Sequence, residues 1–366
     1  MMVLEMGSVK VNIFSEGLAT LMVRIQPLAK MLATYGVDCK VIAPINWSQI
    51  MKRRLGNIFS IILTHPFEEY LHTIVDPPDV IVIGKVSTPQ ILLFERSLKN
   101  KGVKVIFDLN DALFLRTSKF FGANIRPGSF CLEEIIKNAD FVTVNGHYLM
   151  HYVKPLNEKT AIIHDPVDTE LFNPKLRIKY EKLTIGWEGD PRVHYENLAL
   201  LMNPLIRLAK EYDIRFKIVS YLGDLRVKRM FSKLEKLMEI DYGLKQWVLM
   251  DQFAKLLSDI DIFVAPLQKT PWYEGKSALR VGLGMAMGIP VVASPVGEQR
   301  YVIKHGINGF LARNEEEWYN YLKMLIEDED LRKRIGKEGR KTVEKELSLE
   351  VNGRKLYEII KTIIES

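Results

Sequence analysis

Apolar runs of strand length alternate with helical patterns along the whole chain. This alternation is typical of parallel β-sheets whose strands are joined by crossover helices. A first series has predicted strands at Val9–Phe14, Lys40–Ala43, Asp79–Gly84, Val103–Asp108, Phe141–Val144 and Thr160–His164, with helices at Leu18–Tyr35 and Thr88–Asn100. A second series has predicted strands at Leu183–Trp187, Phe216–Ser220, Trp247–Met250, Ile262–Pro266 and Val291–Ser294. The 366 residues also fit two domains of roughly 150 residues each, so we expect two α/β domains.

The charge balance limits the partners of the chain. A formal net charge of +6 and a pI near 9.0 favour an anionic partner, which could be a nucleotide diphosphate, an acidic lipid surface or a nucleic acid. We do not expect a nucleic-acid partner, because the cations are dispersed and no recognised binding motif accompanies them. No apolar run reaches the roughly 18–20 residues of a membrane span, and the N-terminus has no signal-peptide layout. We therefore expect a cytoplasmic protein.

The segment from Tyr273 to Phe310 carries the most functional information. It reads as a helix, a turn at Gly288, a short buried strand, a second turn and a second helix. Ser277 can cap the first helix, so that free N–H groups and the positive end of the helix dipole, worth about half a charge, face the preceding loop. Such an end binds phosphate. Lys276 and Arg280 add two cations, which predicts a diphosphate site.

This segment resembles the donor-site signature of the family-4 group of retaining nucleotide-sugar glycosyltransferases, which have the GT-B fold. Members commonly read K-S-x-x-K-x-x-E-x-M-A-x-G-x-P-V-V-A-S-x-V-G here. The matching positions are Lys276, Ser277, Arg280, Met285, Ala286, Gly288, Pro290 through Ser294, Val296 and Gly297. The resemblance implies two Rossmann-like domains whose parallel sheets face a central cleft. It also implies metal-independent transfer of a sugar from a nucleoside diphosphate sugar to a glycan or lipid hydroxyl with retention of configuration, and no cofactor.

A second resemblance divides the chain. The stretch HDPVDTELFNP, from His164 to Pro174, resembles the interdomain linker of that family. We therefore predict an acceptor-side domain at residues 1–174, a nucleotide-sugar domain at residues 175–348, and a last segment at residues 349–366. The helix in this last segment crosses back to the first domain in the family; the alternative is that it caps the second domain.

Three further residues are candidates for donor binding, because ligands of parallel sheets bind beyond the carboxyl ends of the strands. Gly17 follows the first strand, although a plain strand-to-helix turn explains this glycine equally well. Gly189 and Arg192 are the best matches to the loop that meets the donor phosphates in the family. Arg192 would form a two-sided clamp with Lys276; the alternative is an ordinary solvated arginine. His194 is expected to be structural.

Polar residues also lie at and just beyond the end of the strand Val103–Asp108. Asp108, Asn110 and Asp111 resemble the Y-D-x-D-D-x-x-F run of some family members, with Asn110 in place of one acid. We predict that these three residues order sugar or acceptor hydroxyls in catalysis. The alternative is that Asp111 caps the next helix.

Residues 51–63 pair a basic patch with bulky apolar side chains. This layout is typical of an interfacial helix on an anionic bilayer and predicts peripheral contact with the inner face of the membrane. A core helix with a solvated basic end explains the same pattern.

One departure from the family signature supports a rival function. Leu283 stands where the family usually carries the glutamate that binds the donor ribose. The rival is a catalytically silent GT-B relative that binds a nucleotide, a glycan or a partner protein.

Overall fold

The computed structural model describes residues 9–15, 20–42, 71–84, 87–115, 118–120, 123–125, 129–244, 246, 248 and 250–366. The chain divides into two compact units. The first unit comprises Met1–Pro166, Gly275–Ser277 and Leu349–Ser366, and the second comprises Val167–Glu274 and Ala278–Ser348.

The first unit is built on a six-stranded parallel sheet. The strands of this sheet are β1 (Lys10–Ser15), β2 (Asp38–Ile42), β3 (Val80–Gly84), β4 (Lys104–Leu109), β7 (Phe141–Val144) and β8 (Thr160–Ile162). Two further strands, β5 (Ser118–Phe120) and β6 (Ala123–Ile125), form a separate antiparallel pair. The order in the large sheet is β2-β1-β3-β4-β7-β8. The helices are a π-helix at Leu21–Ile25 that continues into α1 (Gln26–Thr34), then α2 (Pro89–Lys99), a 3₁₀ turn at Leu113–Leu115, α3 (Ser129–Asn138) and α4 (His147–Val153).

Local sequence explains the elements at the centre of this sheet. All five residues of β3, Val-Ile-Val-Ile-Gly, are buried, as expected for a strand covered on both faces. The helix that follows begins where the Thr88 hydroxyl accepts a hydrogen bond from the Ile91 N–H, with Pro89 in the first turn. It ends shortly before Gly102, whose φ of +81° favours glycine.

The second unit repeats the arrangement. Its strands are β9 (Leu183–Trp187), β10 (Ile214–Ile218), β11 (Glu239–Tyr242), β12 (Ile262–Ala265), β13 (Val291–Ala293) and β14 (Phe310–Leu311). They form a parallel sheet in the order β11-β10-β9-β12-β13-β14. The helices are α5 (Pro191–Ala199), α6 (Met202–Leu208), α7 (Leu225–Phe231), α8 (Met250–Leu256), α9 (Pro271–Glu274), α10 (Leu279–Ala286), α11 (Gln299–Val302), α12 (Glu315–Glu327) and α13 (Glu329–Thr342), with 3₁₀ turns at Pro174–Leu176 and Leu234–Lys236 and a π-helix at Val343–Leu347. The predicted pair of α/β domains is confirmed.

One predicted strand is misplaced. Met250, assigned to a strand at Trp247–Met250, begins α8, and residues 247 and 249 lie outside the described part. The strand at this edge is β11, four residues with a half-exposed burial pattern. Its polar sequence, Glu-Ile-Asp-Tyr, gives no apolar run, because an edge strand has only one neighbour to pack against.

The division between the units falls after Pro166, whereas the sequence placed it near Pro174. The difference has a physical cause. The Val167 N–H donates to Leu347 O at 2.9 Å, and the Phe172 ring is buried among apolar residues of the second unit. Residues 167–174 of the linker motif therefore belong to the second unit.

The last helix, α14 (Leu349–Glu365), packs against α1 within the first unit. Leu356, Ile360 and Ile363 lie on one helical face and are buried in the apolar cluster of that unit. The two helices approach closely, since a Cβ on Gly353 would lie 2.3 Å from Met31 Cγ. The predicted domain bounds, residues 1–174, 175–348 and 349–366, remain predictions.

Candidate functional site

Three loops meet at one edge of the second sheet. Strands β9, β12 and β13 are neighbours and parallel, so the loops that follow them lie at the same, carboxyl, edge. Hydrogen bonds tie these loops together. The Gln268 N–H donates to Asn197 Oδ1 at 2.7 Å, and the Leu267 N–H donates to Ser294 Oγ at 3.0 Å.

Gly189 occupies a position that no larger residue fits. Its φ is +152°, and a Cβ there would lie 2.7 Å from Trp187 Cζ2 and 3.0 Å from Arg280 Cζ. Glycine is therefore required for both conformation and space. The backbone of this loop lies directly beside the Arg280 guanidinium.

Arg280 lies in a largely buried, polar setting. Its Nε is 3.6 Å from Glu188 Oε2, and the exposed fractions of the two side chains are 27% and 14%. Its Nη2 is 2.6 Å from His194 Nε2. Burial lowers the pKa of the Arg280 guanidinium, and the carboxylate of Glu188 opposes that effect. Burial likewise raises the pKa of Glu188, against the effect of Arg280.

His194 and Asn197 complete this cluster. Sequence reasoning assigned no function to Glu188 or Asn197. Asn197 Nδ2 is 2.8 Å from His194 Nδ1, and both residues are buried. They lie three residues apart in α5, whose backbone departs from helical geometry at His194. That spacing was visible in the sequence, but their contacts with Gln268 and Arg280 come from distant segments.

Arg192 differs from its prediction. Its guanidinium donates to the Asp190 carboxylate, Nε to Oδ1 at 2.9 Å and Nη2 to Oδ2 at 2.6 Å, and 55% of its side chain is exposed. These hydrogen bonds lower the pKa of Asp190, which also caps α5. The solvated-arginine alternative describes Arg192 better, and Arg280 takes its place beside Gly189.

Ser277 also differs from its prediction. The N-cap of α10 is Ala278, without a side-chain hydrogen bond, so Ser277 lies one residue too early to cap this helix. Residues 275–277 group with the first unit. There, Lys276 Nζ donates to Asp111 Oδ1 at 2.8 Å, which joins two predicted site residues that are 165 residues apart in sequence.

Asp108 lies in a buried network of the first unit. Both of its carboxylate oxygens accept hydrogen bonds from Arg24, and Oδ1 also accepts from Thr143 Oγ1 at 2.7 Å. Because these donors hold a carboxylate that is only 3% exposed, we reassign Asp108 from ordering hydroxyls to a structural role.

Asn110 keeps a free acceptor. The residue is 8% exposed, and its Oδ1 has no hydrogen-bond partner among the described residues. The backbone carbonyl of Asn110 accepts from Asn145 Nδ2 at 2.6 Å, so the loop is held while the side-chain oxygen stays available. An unpaired buried acceptor is costly unless a ligand satisfies it.

Leu283 is 4% exposed and belongs to an apolar cluster of the second unit. Glu274, the carboxylate nearest to Lys276 in the sequence, accepts a hydrogen bond from the Gly297 N–H at 3.1 Å and pairs with Arg300. Neither position presents an unpaired carboxylate.

Gly17 and residues 51–63 lie outside the described residues, so the predictions made for them stay predictions. In the part of the chain that is described, no helix is long and apolar enough to cross a membrane. No group of three or more His, Cys, Asp or Glu residues there could hold a metal ion.

Comparison with known proteins agrees with this architecture. Residues 182–328 match the model of the family described as glycosyl transferases group 1. The uncharacterized glycosyltransferase MJ1178 of Methanocaldococcus jannaschii is 30% identical over 297 residues, which cover 75% of this chain and 70% of that protein. Spore coat protein SA of Bacillus subtilis is 22% identical over 242 residues, covering 59% of this chain and 62% of its own length. The chain thus spans less than two thirds of the latter relative.

Solved structures share the fold. A glycosyltransferase from Rickettsia africae superposes with a TM-score of 0.73 at 18% identity, over 98% of this chain and all of the other. Anabaena HepE in complex with UDP gives a TM-score of 0.64 at 14% identity, over 97% of this chain and 100% of the other. The chain belongs to the group 1 glycosyltransferases and has the GT-B fold.

Proposed function

We propose that the protein transfers a sugar from a nucleoside diphosphate sugar to a hydroxyl acceptor, a glycan or a lipid, with retention of configuration. The observation that carries this proposal is the pairing of Gly189 with Arg280. A backbone that admits no side chain lies beside a largely buried guanidinium, at the edge of a parallel sheet where ligands of this fold class bind. A relative by fold, HepE, has been solved with UDP, which supports a nucleotide as the ligand.

The chemistry follows from the charge that develops on the leaving group. Cleavage of the sugar–phosphate bond places negative charge on the departing diphosphate, and a fixed cation in a poorly solvated site stabilises that charge. Arg280 supplies such a cation, and Lys276 remains a predicted second one. We assign no covalent nucleophile among the described residues, so the acceptor would attack on the face that the leaving group departs from. The acceptor oxygen would bond to the anomeric carbon as the bond from that carbon to the diphosphate oxygen breaks, and the hydroxyl proton would pass to the departing diphosphate.

Asn110 fits the acceptor side of the reaction. Its buried Oδ1 has no partner among the described residues and would accept a hydrogen bond from a sugar or acceptor hydroxyl. Asp111 would act beside it while holding Lys276. We also propose that the protein is cytoplasmic and that residues 51–63 contact the membrane surface. Sedimentation of the protein with anionic vesicles would test the membrane contact.

Thermal shift with UDP, GDP, ADP and their sugars tests the donor assignment. A ligand at about 100 times its dissociation constant stabilises a protein by about 2.7 kcal/mol, so a base-selective rise in Tm is expected. Arg280→Met should remove most of the rise, whereas Arg334→Met, an exposed arginine on α13, should not. Release of nucleotide in the presence of acceptors then measures turnover.

The rival function is a silent GT-B relative, which the apolar Leu283 favours. That rival would be supported if the protein binds a nucleotide but neither transfers nor slowly hydrolyses any sugar nucleotide. Absence of binding to every nucleotide would contradict both the transferase and a nucleotide-binding silent relative.

A further inference from the structure

A basic cavity lies at the amino edge of the second sheet. Its lining includes Leu183, the first residue of β9, and Asp261 and Pro290, which immediately precede β12 and β13. The loops of the candidate donor site follow the carboxyl ends of the same strands, and the length of β9 separates the two edges by roughly 13 Å. The cavity has a volume of about 770 Å³, the size of a small-molecule site. Its lining residues belong to the second unit.

Cations outnumber carboxylates around this cavity. Seven lysine and arginine side chains line it, against four acidic side chains. Most of the cations come from one side of α13, because residues three or four positions apart on a helix are neighbours. They are Arg332, Lys333, Lys337, Arg340 and Lys341. The helix therefore presents a row of positive charges to the cavity.

Part of this charge is already neutralised. Three cations of α13 pair with nearby acids at 2.6–2.7 Å, namely Lys333 with Glu329, Arg340 with Glu344 and Lys341 with Glu338. Arg177 Nη2 lies 3.3 Å from Asp261 Oδ1. Burial nevertheless lowers the pKa of the Arg177 guanidinium; Asp261 opposes that effect, and Arg332 adds to it. Arg177 and Arg332 are thus close enough to repel each other.

Three lining cations remain. Within the part of the chain that the structure describes, Lys179, Arg332 and Lys337 pair with no carboxylate, and Glu181 is the one lining acid that pairs with no cation. The lining therefore has an excess of two unpaired positive charges. Arg332 donates to backbone carbonyls through Nη1, and its Nε and Nη2 have no partner among the described residues. Two donors of one guanidinium are therefore left for a ligand.

We infer that this cavity is a second ligand site, which binds the phosphate monoester group of a small molecule or of a lipid headgroup. One such group carries about −1.5 to −2 charges at pH 7, which balances the two unpaired positive charges. Its oxygens also accept hydrogen bonds from a guanidinium and from ammonium groups together. A single carboxylate would leave one charge unbalanced. The side chain of Ile178, which is 61% exposed and lines the cavity, offers an apolar contact to the rest of the ligand. The site goes beyond the proposed function, because the donor site lies at the opposite edge of the sheet.

Glycerol 3-phosphate is the soluble probe. Isothermal titration is made in the Arg280→Met variant, whose donor site is weakened, and glycerol 3-phosphate should bind whereas glycerol should not. Adding Lys179→Gln and Lys337→Gln, both at exposed positions, should lower the affinity at least about tenfold. The matched control adds Lys233→Gln and Lys236→Gln, exposed lysines outside the lining. It removes the same charge and should bind within about twofold of the background, because exposed charges at a distance are screened.

Vesicles separate the two sources of the group. Phosphatidic acid presents the same phosphate monoester on glycerol, and phosphatidylcholine vesicles are the reference. Binding of glycerol 3-phosphate alone would identify a soluble ligand. Sedimentation with phosphatidic acid vesicles that the Lys179/Lys337 double variant loses and the control keeps would identify a headgroup. Either result supports the site. Binding of neither probe, or equal binding by the two double variants, would overturn it.

The position of the bound probe gives an independent readout. Glycerol 3-phosphate should shift the amide signals of Tyr180 and Lys337 and leave those of Gly189 and Ser294 in place. Shifts at the latter pair alone would assign the probe to the donor site and overturn the inference. If the unaltered protein binds glycerol 3-phosphate at the basic cavity but no nucleotide, the proposed function fails and the second site stands.

Discussion

Arg24 donates two hydrogen bonds to the Asp108 carboxylate, Nε to Oδ2 at 2.8 Å and Nη2 to Oδ1 at 2.7 Å, across 84 residues of sequence. The same guanidinium donates through Nη1 to Ile163 O at 2.8 Å and to Asp165 Oδ1 at 3.0 Å. Burial lowers the pKa of Arg24, but the carboxylates of Asp108 and Asp165 outweigh that effect and raise it. This buried pair joins the first helix to the sheet and to the segment that ends the first unit.

Asp108→Asn should therefore lower the free energy of unfolding. Breaking a buried ion pair costs about 3–5 kcal/mol, because one charge is left uncompensated, and Asp165 should moderate that cost. We expect a loss of about 3 kcal/mol in urea unfolding, with residual kcat in the folded fraction. Thr143→Val, which removes one hydrogen bond to Asp108, should cost only about 1 kcal/mol. Unchanged stability with kcat abolished would return Asp108 to a catalytic role.

Gly189→Ala should weaken nucleotide binding. The added methyl group would lie 3.0 Å from Arg280 Cζ and 2.7 Å from Trp187, so it displaces the cation as well as straining the backbone. We expect UDP affinity to fall by at least about tenfold, the loss of a charge-assisted hydrogen bond. Gly306→Ala is the matched control, since Gly306 has φ +75° with nothing within 4 Å. Backbone strain in Gly306→Ala should lower the free energy of unfolding by about 1 kcal/mol, and its UDP affinity should be unchanged.

Lys276 and Asp111 should respond differently to neutralisation. Lys276→Met removes a predicted phosphate ligand and should lower sugar-nucleotide affinity by at least about tenfold. Asp111→Asn keeps the ammonium and should change affinity only a few-fold. Isothermal titration with UDP and its sugars measures both. Equal losses would mean that the Lys276–Asp111 pair only supports the structure, and full affinity in Lys276→Met would remove Lys276 from the donor site.

Leu283→Glu tests whether this position still faces the ribose. A carboxylate in the apolar surroundings of Leu283 should lower the free energy of unfolding by about 2–5 kcal/mol, unless ribose hydroxyls donate hydrogen bonds to it. We expect a lower Tm for the free protein and a larger rise on adding UDP. Leu257→Glu, in the same apolar cluster, is the control and should show the loss alone. If the nucleotide-induced rise in Leu283→Glu is no larger than in the unaltered protein, the position does not contact the ribose.

Glu95 should make stability depend on pH. The residue is 0% exposed, and its carboxylate has no hydrogen-bond partner among the described residues. Burial raises its pKa from 4.5 to about 8, against the opposing effects of Lys99 and Arg96. The unfolded chain therefore releases this proton at lower pH than the folded one, so stability falls as pH rises across that window.

Glu95→Gln should remove this dependence. We expect little difference from the unaltered protein near about pH 5 and a gain of about 1–3 kcal/mol near about pH 8, measured by urea unfolding at both values. Glu133→Gln, a half-exposed carboxylate on α3, should show no such trend. A constant difference across the range would contradict the raised pKa.

The two parallel sheets could be predicted because strands that are buried on both faces have apolar residues at consecutive positions. β9 and β7 begin and end at the predicted residues. β11 was not predicted, because this edge strand has a polar sequence without an apolar run. Glycines were informative for the same local reason, since Gly189 and Gly288 have φ values of +152° and +67° that few other residues adopt.

Partners of charged side chains were not predictable in this way. The sequence alone determined the class of fold, the family and the resemblance of the segment from Lys276 to Arg280 to the family's donor-site signature, because local patterns and motifs specify these. Only the tertiary structure decided that Arg280 rather than Arg192 lies beside Gly189, that Asp108 binds Arg24, and that Asn197 links Gln268 to His194. The reason is that an ion pair or hydrogen bond depends on distance and burial between residues far apart in sequence, and periodicity carries no information about either.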